Sequence, residues 1–378
     1  MSKKNKMKKI LFAAVTLDVG GIETSLVTLL NCLAEIKENS CFKYDITLVL
    51  EEKQGVFLKD LNNRINVIQY KPCAIKKDFI RKSINFIKQT IFKIKYGDKF
   101  DFSVAYATYS KPASFVARAA SFNSALWCHM DYMEQYQGKV KSVKKFFEGV
   151  HYDQFKNIIF VSNEGKESFT KIYPDISEKV KWINNMIDYQ SICKKAEERI
   201  EEQDDILLSK LAKPIFMHLG RHDEDQKRVS RLIEAARVLK SENENFSLIL
   251  IGDGQDSERY RRVVNEKNLN GNVFFLGRKK NPYPYLKKAD CLVLSSDYEG
   301  APVVFIEAMI LRKPIITTEV SGSSLIKDKY GVVVDKKQSE ITNTMKEFIK
   351  NGYKSITEFD YENYNNEALK KIEEMINE

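Results

Sequence analysis

The stretch CLVLSSDYEGAPVVFIE, residues 291–307, carries the pattern that decides the fold. Cys291 to Leu294 is a short apolar run, the signature of a strand buried on both faces. Gly300-Ala301-Pro302 and a second apolar run follow, which predicts a helix with Pro302 as its first residue, where a missing N–H costs nothing. The free amides of Ala301, Val303 and Val304 would point outward from that helix start and form an anion site. Glu299 falls in the loop before the helix; Glu307 falls one to two turns inside it, roughly 7 Å further along at about 1.5 Å per residue. A diphosphate on the amides with a carboxylate at each end suits a nucleotide-linked ligand. Without such a ligand, the same stretch is a solvated helix with two ordinary glutamates.

Working outward, the same alternation of strand and helix runs through both halves. Lys9–Leu17, Tyr44–Leu50, Asn66–Gln69, Phe102–Tyr106, Ser124–His129 and Asn157–Ser162 read as strands in the first half. Pro214–Leu219, Ser247–Ile251, Asn272–Leu276, Cys291–Leu294 and Pro314–Thr317 read as strands in the second. Leu26, Leu29, Leu30 and Leu33 repeat at helical spacing behind Thr24, a candidate cap. Residues 229–240, 256–268, 302–312 and 340–350 read as helices, and 194–205 as one surface helix. The pattern predicts an α/β chain of two Rossmann-like, doubly wound parallel-sheet domains facing a cleft at the carboxyl ends of their strands. The boundaries read as 1–186 and 187–360, with a last helix, 361–378, packing back on the first domain.

At 378 residues there is room for two cores, and 43% hydrophobic with 30% charged residues describes a globular chain. The six cysteines lack paired spacing, so neither a zinc site nor a disulfide framework is expected, and a reducing cytoplasm is. Lys3, Lys4, Lys6, Lys8 and Lys9 precede an eight-residue apolar run in the manner of a secretory leader. That run ends in Asp18-Val19-Gly20-Gly21 with no cleavage site, so a buried first strand and a glycine turn fit better. The net charge is +9, and it belongs to the first half: residues 1–190 carry 30 Lys and Arg against 20 Asp and Glu, +10, and the rest carry −1. Much of it sits in 76–99, where eight cations face only Asp78 and Asp98. Ile80, Ile84, Ile87 and Ile91 repeat there with Phe79, Phe86 and Phe92 nearby. A basic amphipathic helix suits an anionic membrane surface, with Lys141, Lys144 and Lys145 beside Phe146-Phe147 as a second contact. The other reading is a packed helix with a solvated basic face. No nucleic-acid module is recognisable, so no nucleic-acid partner is expected.

Several motifs carry chemistry. Gly20-Gly21-Ile22-Glu23 lets backbone approach a ligand where the first helix begins, or is only a tight turn. Gly220-Arg221 with Lys227 places a guanidinium and an ammonium at a strand end, able to bind a diphosphate. His129 ends a strand-like run and is a candidate for polar contact or acid–base work. Asp223-Glu224-Asp225 is formally a D-x-D, but it lies between cations, and Gly252-Asp253-Gly254 reads as a turn.

Together, these residues resemble the retaining glycosyltransferases of the GT-B fold, the large group called family four or glycosyl transferases group 1. The match runs from Gly20-Gly21-Ile22-Glu23 and His129 through Gly220-Arg221, Lys227, Gly252-Asp253-Gly254 and the segment from Asn281 to Asp290. It closes with Glu299 to Glu307, the family's E-x7-E motif. The resemblance implies a nucleotide diphosphate sugar donor, UDP-linked, in the C-terminal domain and a glycan or lipid-linked acceptor in the N-terminal one. Arg221 and Lys227 would hold the diphosphate with Gly20, Gly21 and the turn Gly300, Ala301, Pro302, Val303. Glu307 would hold the ribose, Glu299 and His129 the donor sugar, and Arg278 would lie near the base. No metal or other cofactor is implied, since cations and helix amides can stabilise the leaving diphosphate. Gly-Ala-Pro replaces the family's commoner Gly-Phe-Pro or Phe-Gly, which leaves the donor sugar open.

The expectation is a cytoplasmic hexosyltransferase, peripheral on the inner face of the membrane, in capsular, other polysaccharide or teichoic-type polymer synthesis. The alternatives are a nucleotide-sugar epimerase of the same fold and a non-catalytic partner subunit.

Overall fold

Every strand pairing in the two large sheets is parallel. The computed structural model describes residues 7–18, 20–38, 41–353 and 356–378; Lys3, Lys4, Lys6 and Val19 of the sequence reading lie outside them. The chain divides into two compact units, Met1–Ile187 with Glu362–Glu378, and Asp188–Tyr361.

The first unit contains β1 (Lys8–Ala14), β2 (Lys37–Glu38), β3 (Cys41–Phe42), β4 (Tyr44–Leu50), β5 (Asn66–Gln69), β6 (Phe102–Ala105), β7 (Ser124–Cys128), β8 (Asn157–Phe160) and β9 (Val180–Trp182). Seven of these form one sheet in the order β5-β4-β1-β6-β7-β8-β9. β2 and β3 pair as a small antiparallel hairpin that no apolar alternation announced. The central strand owes its place to its composition. Ile10, Leu11, Phe12 and Ala13 are all at most 1% exposed, which only a strand covered on both faces allows. Helix Gly21–Glu35 buries Leu26, Leu29, Leu30 and Leu33 as their spacing predicts. Its N-cap is Gly20 rather than Thr24, whose hydroxyl donates back to the Gly20 carbonyl from inside the first turn.

The second unit contains β10 (Ile215–Leu219), β11 (Ser247–Ile251), β12 (Val273–Gly277), β13 (Cys291–Leu294), β14 (Ile315–Thr318) and β15 (Gly331–Val334), in the order β12-β11-β10-β13-β14-β15. The chain leaves β10 in one direction and returns to its other side at β13. That reversal is the position at which open parallel sheets bind ligands. It places the loops after β10 and β13, residues 220–228 and 295–302, side by side. The predicted single helix over 194–205 is two helices, Tyr189–Ala196 and Glu202–Lys210. The break lets Lys279 pair with both Glu201 and Asp204, while Asn281 donates to the Lys195 carbonyl and Glu198.

The last helix, Tyr361–Asn377, buries Ala368, Ile372, Met375 and Ile376. Lys8 donates to the Ile376 carbonyl, Asn123 to that of Met375 and Lys371 to that of Trp182. Asn365 bonds both the amide and the carbonyl of Ile187, at 3.0 and 2.8 Å. Tyr189 and Tyr361 stack with centroids 3.8 Å apart. The two chain crossings between the units are therefore tied to one another on either side of the boundary. Met375→Ala should lower the stability of the first unit by about 2–4 kcal/mol in urea unfolding, although Met375 is the chain's fourth residue from the end. A loss near zero would show that this helix is not part of that unit's core.

Candidate active site

The loops at the end of β10 are built backbone on backbone. Gly252 holds φ at +137°, and a Cβ there would run into the Gly220 carbonyl oxygen. A Cβ on Gly254 would strike the His222 carbonyl in the same way. The Gly220 amide donates to Ile251, the His222 amide to Asp253 and the Gly252 amide to Gly277. Glycine is needed at 252 and 254 because no side chain fits between the loops. Gly252-Asp253-Gly254 is thus a support for the Gly220-Arg221 turn as well as a turn itself. The Asp253 carboxyl is held low by the Ser257 hydroxyl and the Gly254 amide, with a smaller pull from His222 and Arg278.

Residues 221–228 are then tied to residues 295–299. Lys227 Nζ meets Glu299 Oε1 at 2.5 Å, and the two side chains are 13% and 8% exposed. Gln226 Nε2 donates to the second Glu299 oxygen and to the Tyr298 carbonyl, both at 3.3 Å. Arg228 and Arg231 grip the two oxygens of Asp297 at 2.5 and 2.6 Å. Ser295 donates to the carbonyls of Lys227 and Arg228, and the Asp297 amide to that of Gln226. Arg228 sits at φ +49°, a left-handed turn that aims the next residue into helix Val229–Ser241. The D-x-D candidate works inside this loop. Asp223 accepts from the amides of Asp225 and Gln226, while Glu224 accepts from Tyr260 and Ser230.

The helix after β13 runs Val303–Ile310, and Pro302 is its N-cap, with ψ at 115°. Pro302 therefore stands one residue before the predicted position, because its carbonyl accepts the first turn's bond from Phe305 while its own backbone stays extended. No side chain caps this end, so the first amides carry the positive end of the helix dipole without an internal acceptor. Gly322, at φ +85°, lets the loop after β14 come against Ala301; a Cβ there would sit 3.2 Å from the Ala301 Cα.

Glu307 lies in this helix among buried Phe305, Ile306, Ala308, Met309 and Ile310. It is itself buried, and the Tyr283 hydroxyl donates to it at 2.9 Å. Burial pushes its carboxyl up to about 7, against a smaller lowering by Tyr283. One hydrogen bond leaves a buried carboxylate poorly compensated. His218 is also buried beneath the loop; burial, then Lys227, push its imidazole down to about 3.

The second unit thus brings Lys227, Glu299, Gly300, Ala301, Pro302, Val303 and Glu307 around one helix start. Arg221 and Arg278 follow the ends of β10 and β12, are exposed, and make no ion pair among the described residues. Gly20, Gly21 and His129 belong to the first unit. Gly20 is extended at φ −174° and Gly21 opens the helix. His129 Nε2 donates to the Tyr106 carbonyl at 2.9 Å, and burial holds its imidazole down at about 4. It is neutral, which suits an acceptor of hydrogen bonds rather than a proton donor at neutral pH. Sequence reasoning passed over Gln226, Arg228, Arg231 and Ser295. Their partners are backbone atoms and carboxylates some 70 residues away, which no local spacing reveals.

The model of the family described as glycosyl transferases group 1 matches residues 199–367. An uncharacterized glycosyltransferase of Methanocaldococcus jannaschii is 29% identical over 195 residues, 51% of this chain and 47% of its own. The match thus spans about half the length of that relative. A Campylobacter jejuni α-1,4-N-acetyl-D-galactosaminyltransferase, named for a diphospho-undecaprenol-linked glycan, is 26% identical across 98% of this chain and 100% of its own. The Anabaena protein HepE, crystallised with UDP-glucose, superposes with a TM-score of 0.75 at 16% identity over 97% of this chain and 100% of its own. The chain has the GT-B fold, and its residues 199–367 match the family of glycosyl transferases group 1.

Proposed function

We propose that the second unit binds a nucleotide diphosphate sugar, UDP-linked, and that the chain transfers its hexose to a glycan or lipid-linked acceptor in cell-surface polysaccharide or teichoic-type polymer synthesis. The observation that carries this reading is the uncapped helix start at Val303, with the Lys227–Glu299 pair on one side and the buried Glu307 on the other. The diphosphate would lie on the amides of residues 301–303 with Lys227 and Arg221. These groups would take up the charge that develops on the leaving oxygen as the glycosidic bond breaks. The acceptor hydroxyl oxygen forms the new bond to the anomeric carbon, and its proton passes to the departing diphosphate. Glu299, turned toward the same place by Gln226 and Lys227, would contact the donor sugar. Arg278 would lie by the base. The parts given to Gly20, Gly21 and His129 rest on the family resemblance. Retention of configuration, by front-face attack, likewise rests on the family resemblance.

Glu307 fits the ribose role on physical grounds. A carboxylate with a single partner is a liability to the fold, and two vicinal hydroxyls would donate the bonds it lacks. The names of the Campylobacter relative and the Anabaena structure support a lipid-linked acceptor and a UDP carrier. We further propose that the chain works at an anionic membrane surface through residues 76–99. The second contact expected at Phe146-Phe147 does not form part of it. Phe147 is fully buried, and the half-buried Phe146 stacks on Tyr132 at 4.8 Å and packs against the same core, so both rings are already engaged.

Lys227→Met and Glu307→Gln should each lower transfer by about 100-fold or more while the thermal melt stays cooperative. Normal turnover in both would remove the site. UDP-sugars should raise the melting temperature without an acceptor, since a ligand that binds only the native state stabilises it. Release of a new sugar epimer with no acceptor present would identify an epimerase instead.

Glu307 also fixes a pH dependence. Its native value of about 7 lies above the ordinary 4.5, so the folded chain holds more protons between those limits. Its stabilising contribution is complete below about 4.5 and is lost as pH rises through about 7, with a ceiling of about 3 kcal/mol. Glu307→Gln should therefore be more stable relative to the parent at pH 8 than at pH 4.5, by urea titration. Parallel pH profiles for the two proteins would contradict the burial of an ionising group here.

A further inference from the structure

Helix Asp78–Tyr96 has two apolar faces, and the fold uses one. Phe92 is its one fully buried residue, packed against Tyr70 at 5.3 Å and Phe115 at 6.1 Å. On the same side Asn85 bonds the amide and carbonyl of Cys73, and Lys88 donates to the Lys71 carbonyl. This face is what anchors the helix to the first unit.

The other face is bare. Phe79, Phe86 and Ile94 are 83%, 70% and 75% exposed, and Ile80, Ile87 and Ile91 are 41%, 56% and 57% exposed. At 3.6 residues per turn these six fall in one sector of roughly 140°, nearly opposite Phe92. The polar residues inside the sector are Ser83 and Thr90, and neither offers a free hydroxyl. Ser83 donates to the Phe79 carbonyl at 3.1 Å and Thr90 to the Phe86 carbonyl at 3.0 Å. The face therefore presents hydrocarbon and no unsatisfied donor, the requirement set by an acyl environment. Around it, segment 76–99 carries eight cations against Asp78 and Asp98. Contiguous exposed apolar surface of this kind marks an interaction site. No helix among the described residues is long and apolar enough to cross a membrane, so this one would lie along it.

We propose that the face bearing Phe79, Phe86, Ile87, Ile91 and Ile94 inserts into the acyl boundary of an anionic bilayer, with the lysines at headgroup level. This rests on the reading of residues 76–99 as a membrane-contacting segment and adds its mode: apolar insertion beyond charge adsorption. Attraction between surface charges is screened at high salt, whereas burial of Phe and Ile is not.

The test is flotation of the full chain with phosphatidylglycerol-containing vesicles and with phosphatidylcholine vesicles, at about 0.05 and about 0.5 M salt. The parent should float with the anionic vesicles at both salt levels. The double variant Phe86→Ser/Ile94→Ser should lose about tenfold or more in binding, keep its melting temperature, and keep its response to UDP-sugars. Lys82→Gln/Lys93→Gln should weaken binding at low salt and little at high salt. Binding that vanishes at high salt and is untouched by Phe86→Ser/Ile94→Ser would overturn insertion while leaving basic adsorption in place. No binding by the parent at low salt would overturn both. So would light scattering that finds a dimer which the same double variant dissociates, since the face would then be covered by a second copy.

Discussion

Lys227 and Glu299 meet at 2.5 Å where water is nearly excluded, and the second unit is arranged so that they can. A pair this buried adds little net stability, because desolvating two charges offsets their attraction. Its surroundings supply what the pair does not. Asp297 between Arg228 and Arg231, Ser295 on two carbonyls and Gln226 on Glu299 fix the loops after β10 and β13 against one another. The pair is thus a consequence of loops held at set positions, with a cation and a carboxylate standing ready at the helix start.

The parallel sheet explains why this happens here. Strand order reverses between β10 and β13, which brings the loops after both strands together at the carboxyl ends, the place where open parallel sheets bind ligands. Gly252 and Gly254 draw the neighbouring loop under Gly220-Arg221. Gly322 brings the loop after β14 against Ala301. Against this rigid frame stand two features unfavourable to stability: an uncapped helix start and a buried carboxylate with one partner. Both are deficits that an anionic ligand bearing hydroxyls would fill. Departures from local consistency of this sort collect at functional sites.

Much of the frame was legible in the sequence because buried parallel strands are unbroken apolar runs. Tyr44–Leu50, Asn66–Gln69, Ser247–Ile251 and Cys291–Leu294 have the limits the pattern predicts. Strand β15 was not read, since Gly331-Val332-Val333-Val334 is too short to stand out without its partner, β14. One helix was expected where Tyr189–Ala196 and Glu202–Lys210 stand, because a charged run hides a break that distant ion pairs stabilise. At the site the chemistry-bearing residues could be named, but not their pairings. Arg221 and Lys227 read as one cationic pair, yet Lys227 is engaged by Glu299 and Arg221 is exposed. The helix 76–99 read as amphipathic with one apolar face; that it has a packed face and a bare one follows only from where Phe92 is buried.

The most direct test of the account is a crystal structure of the chain with an unreactive UDP-sugar analogue. The account predicts the diphosphate on the amides that begin helix Val303–Ile310 and within reach of Lys227, with the ribose hydroxyls on Glu307. A nucleotide bound elsewhere, with that helix start empty and Glu307 still bonded only to Tyr283, would contradict it.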